Sequence, residues 1–299
     1  MNSINIVMGQ FISRKISRRE DTNSSINQTD LSTSNIPDKF SDGKALNRKI
    51  KPRQFLKYVK NGDVEKVKFA ISKGFNDFNT ITYRDVEVKR PLFTAIKKIQ
   101  KENGDFFKIT QILLSVRDMD LINVIVGYFH ETLLEYLSRN EQKTTLGVEL
   151  LLNDHRTKVN IGEPPSLCIA LKNVEIEGDY YYKVAKILLS HKDIDVNATV
   201  FGTSKTIIQH MCENQHKSAL GVELLLNDKR TDVNKSTNFT STPLYSALRK
   251  VENKDDYFYN VAKILLGHKD IEVNATVFWN VSNDYSTHVQ KRTQKCSWR

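Results

Sequence analysis

Apolar residues recur every three or four positions in short bursts along the middle of the chain, and each burst runs into a polar turn that closes on asparagine. In Val184 to Phe201 (VAKILLSHKDIDVNATVF), Val184, Ile187 and Leu188 fall on one face of a helix. The Asp-Ile-Asp-Val-Asn that follows is too short and polar for another helix and fits a turn or hairpin. Ahead of such a burst stands a shorter apolar segment opened by proline, as in Pro243-Leu244-Tyr245-Ser246-Ala247 or Pro91-Leu92-Phe93-Thr94-Ala95. Proline suits the first turn of a helix, where its missing N–H would be unpaired anyway. The pattern predicts two helices, a polar connection between them, and a closing turn. Aromatic runs sit at the start of some second helices. In Tyr180-Tyr181-Tyr182 the spacing to Val184, Ala185 and Leu188 assigns Tyr181 to the core and leaves its neighbours partly exposed.

The pattern repeats. Gly147 to Asn160 (GVELLLNDHRTKVN) returns at Gly221 to Asn234 (GVELLLNDKRTDVN) with 12 of 14 positions identical, and Val184 to Phe201 returns at Val261 to Phe278 with 16 of 18. The closing asparagines, Asn160, Asn197, Asn234 and Asn274, lie 37, 37 and 40 residues apart, so the unit is half the most visible period. Repeats of this length point to a stacked architecture in which each unit buries its apolar face on the next.

Pro-Leu-x-x-Ala, an apolar Leu-Leu helix and a Val-Asn turn together resemble the ankyrin repeat. The resemblance covers residues 51–278 as six units, the first opening at Phe55-Leu56-Lys57-Tyr58-Val59-Lys60-Asn61-Gly62-Asp63. The others run over about 90–122, 128–160, 164–197, 203–234 and 240–274. Two features depart from the family. The histidine of its Thr-Pro-Leu-His opener is Tyr245, Phe93 or Cys168 here, and extra polar residues (Glu175 to Asp179, Asn253 to Asp256) lengthen the units. The resemblance implies an all-α, ankyrin-type helix-turn-helix solenoid with short hairpin loops, flanked by disordered ends. It also implies a monomeric protein-binding scaffold or adaptor, with no catalytic site, cofactor or metal. Carried to this chain, the partner-binding hairpin tips are Ile161, Gly162 and Glu163; Ala198, Thr199 and Val200; and Lys235, Ser236, Thr237 and Asn238.

Charge changes the picture at the ends only. The net +10 comes from residues 1–60, with 12 Lys/Arg against 5 Asp/Glu, and from 279–299, with 4 against 1. Residues 61–278 balance at 29 each, which argues against nucleic-acid binding by the repeats. Three cysteines (168, 212, 296) without paired spacing give neither a disulfide framework nor a zinc site, and fit a reducing, cytoplasmic setting. The seven histidines form no metal-binding spacing, and no phosphate loop or nucleophile motif appears.

The ends read differently from the middle. Ser, Asn, Thr and Asp dominate Asp21 to Asp42, too little apolar surface to offset ordering, so residues 1–50 are expected to form a disordered basic leader. Within it, Met8-Gly9-Gln10-Phe11-Ile12-Ser13 matches an N-myristoylation pattern if translation begins at Met8, with Arg14, Lys15, Arg18 and Arg19 as the second membrane signal. Membrane attachment through Gly9 is the alternative address for the same scaffold.

After Phe278 the pattern stops, in WNVSNDYSTHVQKRTQKCSWR. Reverse-translated and read one base later, with degenerate bases chosen favourably, residues 279–299 spell GTSQTIIQHMCKNEHKSALG. That string matches Gly202 to Gly221 (GTSKTIIQHMCENQHKSALG) at 17 of 20 positions. One extra base near the Phe278 codon accounts for this, making 279–299 a frameshifted tail and the chain the product of a longer ankyrin gene.

Overall fold

The computed structural model describes residues 49–79, 82–84, 87–117, 119, 131–200, 202–237, 241–254 and 256–274. Among them lie twelve helices in six antiparallel pairs: α1 (Pro52–Asn61) with α2 (Val64–Ser72), α3 (Pro91–Ile96) with α4 (Asp105–Leu114), α5 (Leu133–Arg139) with α6 (Leu146–Leu152), α7 (Ser166–Asn173) with α8 (Tyr180–Ser190), α9 (Ile207–Glu213) with α10 (Leu220–Leu226), and α11 (Pro243–Leu248) with α12 (Tyr257–Leu266). Two small antiparallel hairpins precede α3 and α9. Strands β1 (Thr82–Arg84) and β2 (Glu87–Lys89) pair Tyr83 with Val88, and β3 (Thr199–Val200) and β4 (Lys205–Thr206) pair Val200 with Lys205.

Local chemistry sets the helix starts. Proline opens α1, α3 and α11. Thr132 and Thr206 form capping boxes with Glu135 and Gln209, each side chain meeting the other's backbone N–H. The extra polar residues of the longer units are caps as well. Asp179 accepts from the N–H groups of Tyr182, Glu175 and Ile176, and Asp256 from those of Tyr259, Glu252 and Asn253. Burial pulls the Asp179 carboxyl up, but these bonds outweigh it and hold the group below its ordinary value.

The second helices pack in one continuous row, while the first helices pack closely two by two, α1 on α3, α5 on α7, and α9 on α11. The core lies between the rows. Leu137, Leu151, Leu167, Leu171, Leu188 and Ile207 are all but fully buried, each such side chain contributing about 1.5–3 kcal/mol. Tyr180, not Tyr181, is the buried tyrosine of its run. Its hydroxyl donates to the Leu137 carbonyl at 2.7 Å, and Tyr257, in the same place one double unit on, donates to Met211 at 2.8 Å. A phenol that finds a carbonyl in the preceding pair is buried without leaving a polar atom unpaired, and apolar spacing alone does not register that.

Polar side chains join one pair to the next. Asn160 donates to the Asp193 carbonyl and accepts from the Asp195 N–H; Asn197 does the same with Arg230 and Asp232, and Asn234 with Asp270 and Glu272, all at 2.7–2.9 Å. Arg156 and Arg230, each held by an aspartate two residues earlier, reach back to the carbonyls that end the preceding pair's second helix. Arg156 takes those of Leu114 and Val116; Arg230 takes those of Leu189 and His191. Cations at a helix C-terminus also suit its dipole. Among the described residues, the third and fifth pairs alone carry this arginine. The fourth and sixth instead place His191 and His268, whose Nδ1 atoms accept from Asp193 and Asp270. The units thus alternate in kind, which is why the clearest sequence period spans two of them.

Candidate functional site

The three expected tips differ in what they expose. At the first, Ile161 and Glu163 face solvent, but the segment is an irregular loop tied down from below. The Glu163 N–H donates to the Glu135 carboxylate at 3.0 Å, and Gly162 (φ 133°) leaves a Cβ no room, since one would meet that carboxyl carbon at 2.5 Å. At the second tip Thr199 is exposed and Ala198 half-buried, but Val200 is only 5% exposed and packs into the core. The turn itself lies further on, at Gly202, Thr203 and Ser204, all exposed. Val200 is therefore not part of what this hairpin exposes; Gly202, Thr203 and Ser204 are, a turn that the Gly-Thr-Ser run allows one to anticipate. At the third tip Lys235 and Ser236 are exposed and Thr237 half-buried. Asn238 lies outside the described residues, as do Gly9 and the whole of 279–299.

A second feature lies at the opposite ends of the first helices, where spacing gave no warning. There a groove of about 540 Å³ opens between the second and third pairs, lined by Lys97, Lys98, Tyr136, Arg139, Lys143 and Tyr181, with Glu141 as its acid. The Lys97 ammonium stands 5.6 Å from the Phe93 ring centre and 5.7 Å from that of Tyr136, and the two rings meet edge to face at 4.9 Å. Arg139 pairs with Glu131 at 2.5 Å, and its carbonyl accepts from the Tyr181 hydroxyl. Lys98 donates to the Lys60 carbonyl and lies 5.1 Å from the Phe106 ring centre. The residues come from segments 40 positions apart, which a balanced overall charge conceals.

The titratable groups inside the stack are held out of play. Burial pushes the Cys168 thiol up to about 11 and the Cys212 thiol further, away from the thiolate a nucleophile needs. Burial first, then His210 and Lys172 beside it, lowers His216 to about 4; His210 is lowered by burial, Lys172 and Lys205. Both shifts favour the neutral imidazole. Among the described residues no group of three His, Cys, Asp or Glu side chains could hold a metal ion, and no helix is long and apolar enough to cross a membrane.

Residues 167–277, from α7 to beyond α12, match the family model for ankyrin repeats in three copies. These residues are ankyrin repeats. The fold is the ankyrin fold, in helix pairs and short hairpins throughout the described stack. A solved structure, that of the ankyrin repeat protein EF0377, is 18% identical, with a TM-score of 0.49 over 72% of this chain and 96% of its own. No curated protein matches. In the third and fifth pairs the place of the family's opening histidine is held by Glu135 and Gln209. Each caps its own helix and also bonds onward, Glu135 to the Glu163 N–H and Gln209 Nε2 to the Ser241 carbonyl at 2.8 Å. The signature Thr-x-x-Glu/Gln was there to be read. Ankyrin repeats typically mediate binding to protein partners, and residues 167–277 are repeats of that kind.

Proposed function

We propose that this chain is a non-enzymatic scaffold that grips an acidic, extended segment of another protein in the groove at the ends of α3 and α5, with the loop tips as flanking contacts. One observation carries the reading: Lys97 and Lys143 line the same open groove as the Tyr136 and Tyr181 rings, with Glu141 as the acid of its lining. Lys97 and Lys143 offer charge to carboxylates. Tyr136 and Tyr181 offer large, stiff contact area at low ordering cost, as interface anchors do. The neutral histidines and protonated thiols support a binding role over catalysis. Free Cys168 and Cys212 fit a cytoplasmic setting.

The test is a pull-down with the full chain and its Lys97→Glu/Lys143→Glu variant. Partners captured by the parent should be lost from the variant, with helix content unchanged in circular dichroism. Replacing Lys235, Ser236 and Asn238 together by Ala should weaken the same capture by a smaller factor, since loop-tip residues contribute little to packing. Capture indifferent to the groove charges, or capture of single-stranded RNA in place of protein, refutes the assignment.

A second address rests on Met8-Gly9-Gln10-Phe11-Ile12-Ser13 with the basic cluster beyond it. Begun at Met8, the chain would be N-myristoylated at Gly9 and held on anionic membranes, each of Arg14, Lys15, Arg18 and Arg19 adding about 1 kcal/mol. Mass spectrometry of the native N-terminus decides it: Met1 retained, or Gly9→Ala without effect on membrane fractionation, ends this reading.

A further inference from the structure

The sixth pair can be compared side chain by side chain with the fourth, because α11 and α12 repeat α7 and α8. Leu171, fully buried, corresponds to Leu248, which is 47% exposed. Val196, 3% exposed, corresponds to Val273 at 56%, and half-buried Leu189 corresponds to Leu266 at 48%. What covers the internal set is the fifth pair. Its Gly221 lies against the Leu171 backbone carbonyl, its Arg230 takes the carbonyls at the end of α8, and its backbone at Arg230 and Asp232 engages Asn197. The second and third pairs are joined in the same manner, through Gly147 against Ile96 and Arg156 on the end of α4. The first helix of the stack offers a contrast, since α1 turns exposed Arg53, Gln54 and Lys57 to water. A terminal repeat has a polar outer face of that kind; the sixth pair has leucine and valine.

Alternation names the occupant. Pairs with the Gly and Arg follow pairs without them, so the sixth pair is the seat for another unit of the fifth kind. Independently, residues 279–299, reverse-translated with degenerate bases chosen favourably and read one base later, spell such a unit's beginning. The shifted string holds the cap Thr, the Ile-Ile-Gln-His-Met-Cys helix corresponding to α9, and Ser-Ala-Leu-Gly, ending on the glycine that would lie against Leu248. We propose that the face formed by Leu248, Leu266 and Val273 is a docking seat for a further ankyrin unit of the fifth-pair type, the unit spelled in the shifted frame. Its arginine takes the carbonyls that end α12, and Asn274 takes the bonds that Asn197 takes inside the stack.

The experiment compares the full 299-residue chain with one in which a second copy of residues 202–274 follows Phe278 in place of the tail. Amide hydrogen exchange at residues 266–274 should slow by at least about tenfold, towards the rate at 189–197, as local opening is suppressed. The thermal midpoint should rise by several degrees. Changing the glycine of the appended copy that corresponds to Gly221 to Val should reverse both. Three results overturn the proposal: an appended copy that leaves exchange at 266–274 unchanged; slow exchange there already in the full chain as a monomer, which makes residues 279–299 the cover; or slow exchange only in a concentration-dependent dimer, which makes a second copy the occupant. A gene lacking the shifted frame removes the named unit and overturns it equally.

Discussion

Gly221→Ala sets local preference against tertiary contact and lets magnitude decide. Gly221 is the second residue of α10, and alanine there improves helix propensity by up to about 1 kcal/mol. The new methyl, however, points straight into the Leu171 carbonyl oxygen, and lies 3.0 Å from that carbonyl's carbon and from Met211 Cε. Met211 can swing aside; the backbone of α7 cannot. To admit the methyl, α10 must draw away from α7 and α8, opening the buried contacts of Val222 and Leu225. Forced overpacking of this kind costs about 1–3 kcal/mol, so the net effect is a loss of about 1–2 kcal/mol. At about 2–4 °C per kcal/mol for a stack of this size, the midpoint should fall by several degrees in a thermal melt followed at 222 nm. Gly147→Ala is the matched control, in an identical LGVELLL helix. Its methyl meets side chains alone, Ile96 at 3.0 Å and Leu137 at an ordinary 3.5 Å, and Ile96 can rotate, so its effect should be near zero or mildly stabilising. Equal shifts for the two, or a more stable Gly221→Ala, would refute the close approach of α10 to α7.

Asn197→Ala should cost about 1–2 kcal/mol in urea unfolding, as two bonds of ordinary strength between pairs are lost; a change below a few tenths of a kcal/mol would show that solvent replaces them freely. Stability should fall between about pH 6.5 and pH 4. His216 titrates near 4 when folded but near 6.5 when unfolded, so the unfolded chain binds more protons in that window and acid favours it. His216→Phe should flatten the pH dependence of the urea midpoint there, and an unchanged slope would locate the acid sensitivity elsewhere.

The repeat, the helix pairs and the turn after each second helix were legible because they rest on apolar spacing and punctuation, which are local. What escaped was set by contacts between units. Tyr180 is the buried tyrosine of its run, seated against the preceding pair with its hydroxyl on a carbonyl 43 residues away, a contact with no trace in the spacing around Tyr181. Val200 looked like a loop tip because it follows Asn197, but its partner Lys205 folds the hairpin back and turns Val200 inward. The groove was invisible for a related reason: Lys97, Tyr136, Lys143 and Tyr181 belong to three units, and a charge balance over the whole repeat region averages such gatherings away. The closing asparagines were conspicuous as fixed points, yet only their bonds to the next unit explain why asparagine is fixed there.

Because the joints alternate, this chain has two kinds of seam, and a unit fits only behind its proper neighbour. Copying a single unit within the gene would set Gly and Arg behind a unit that offers them no seat, or leave a row of carbonyls and leucines facing another of the same kind. Copying two at a time restores every joint. The near-identity of residues 147–160 with 221–234, and of 184–201 with 261–278, is the record such doubling leaves. An array built this way lengthens in even steps, so its inheritable length is quantised by its seams rather than by its smallest folded piece.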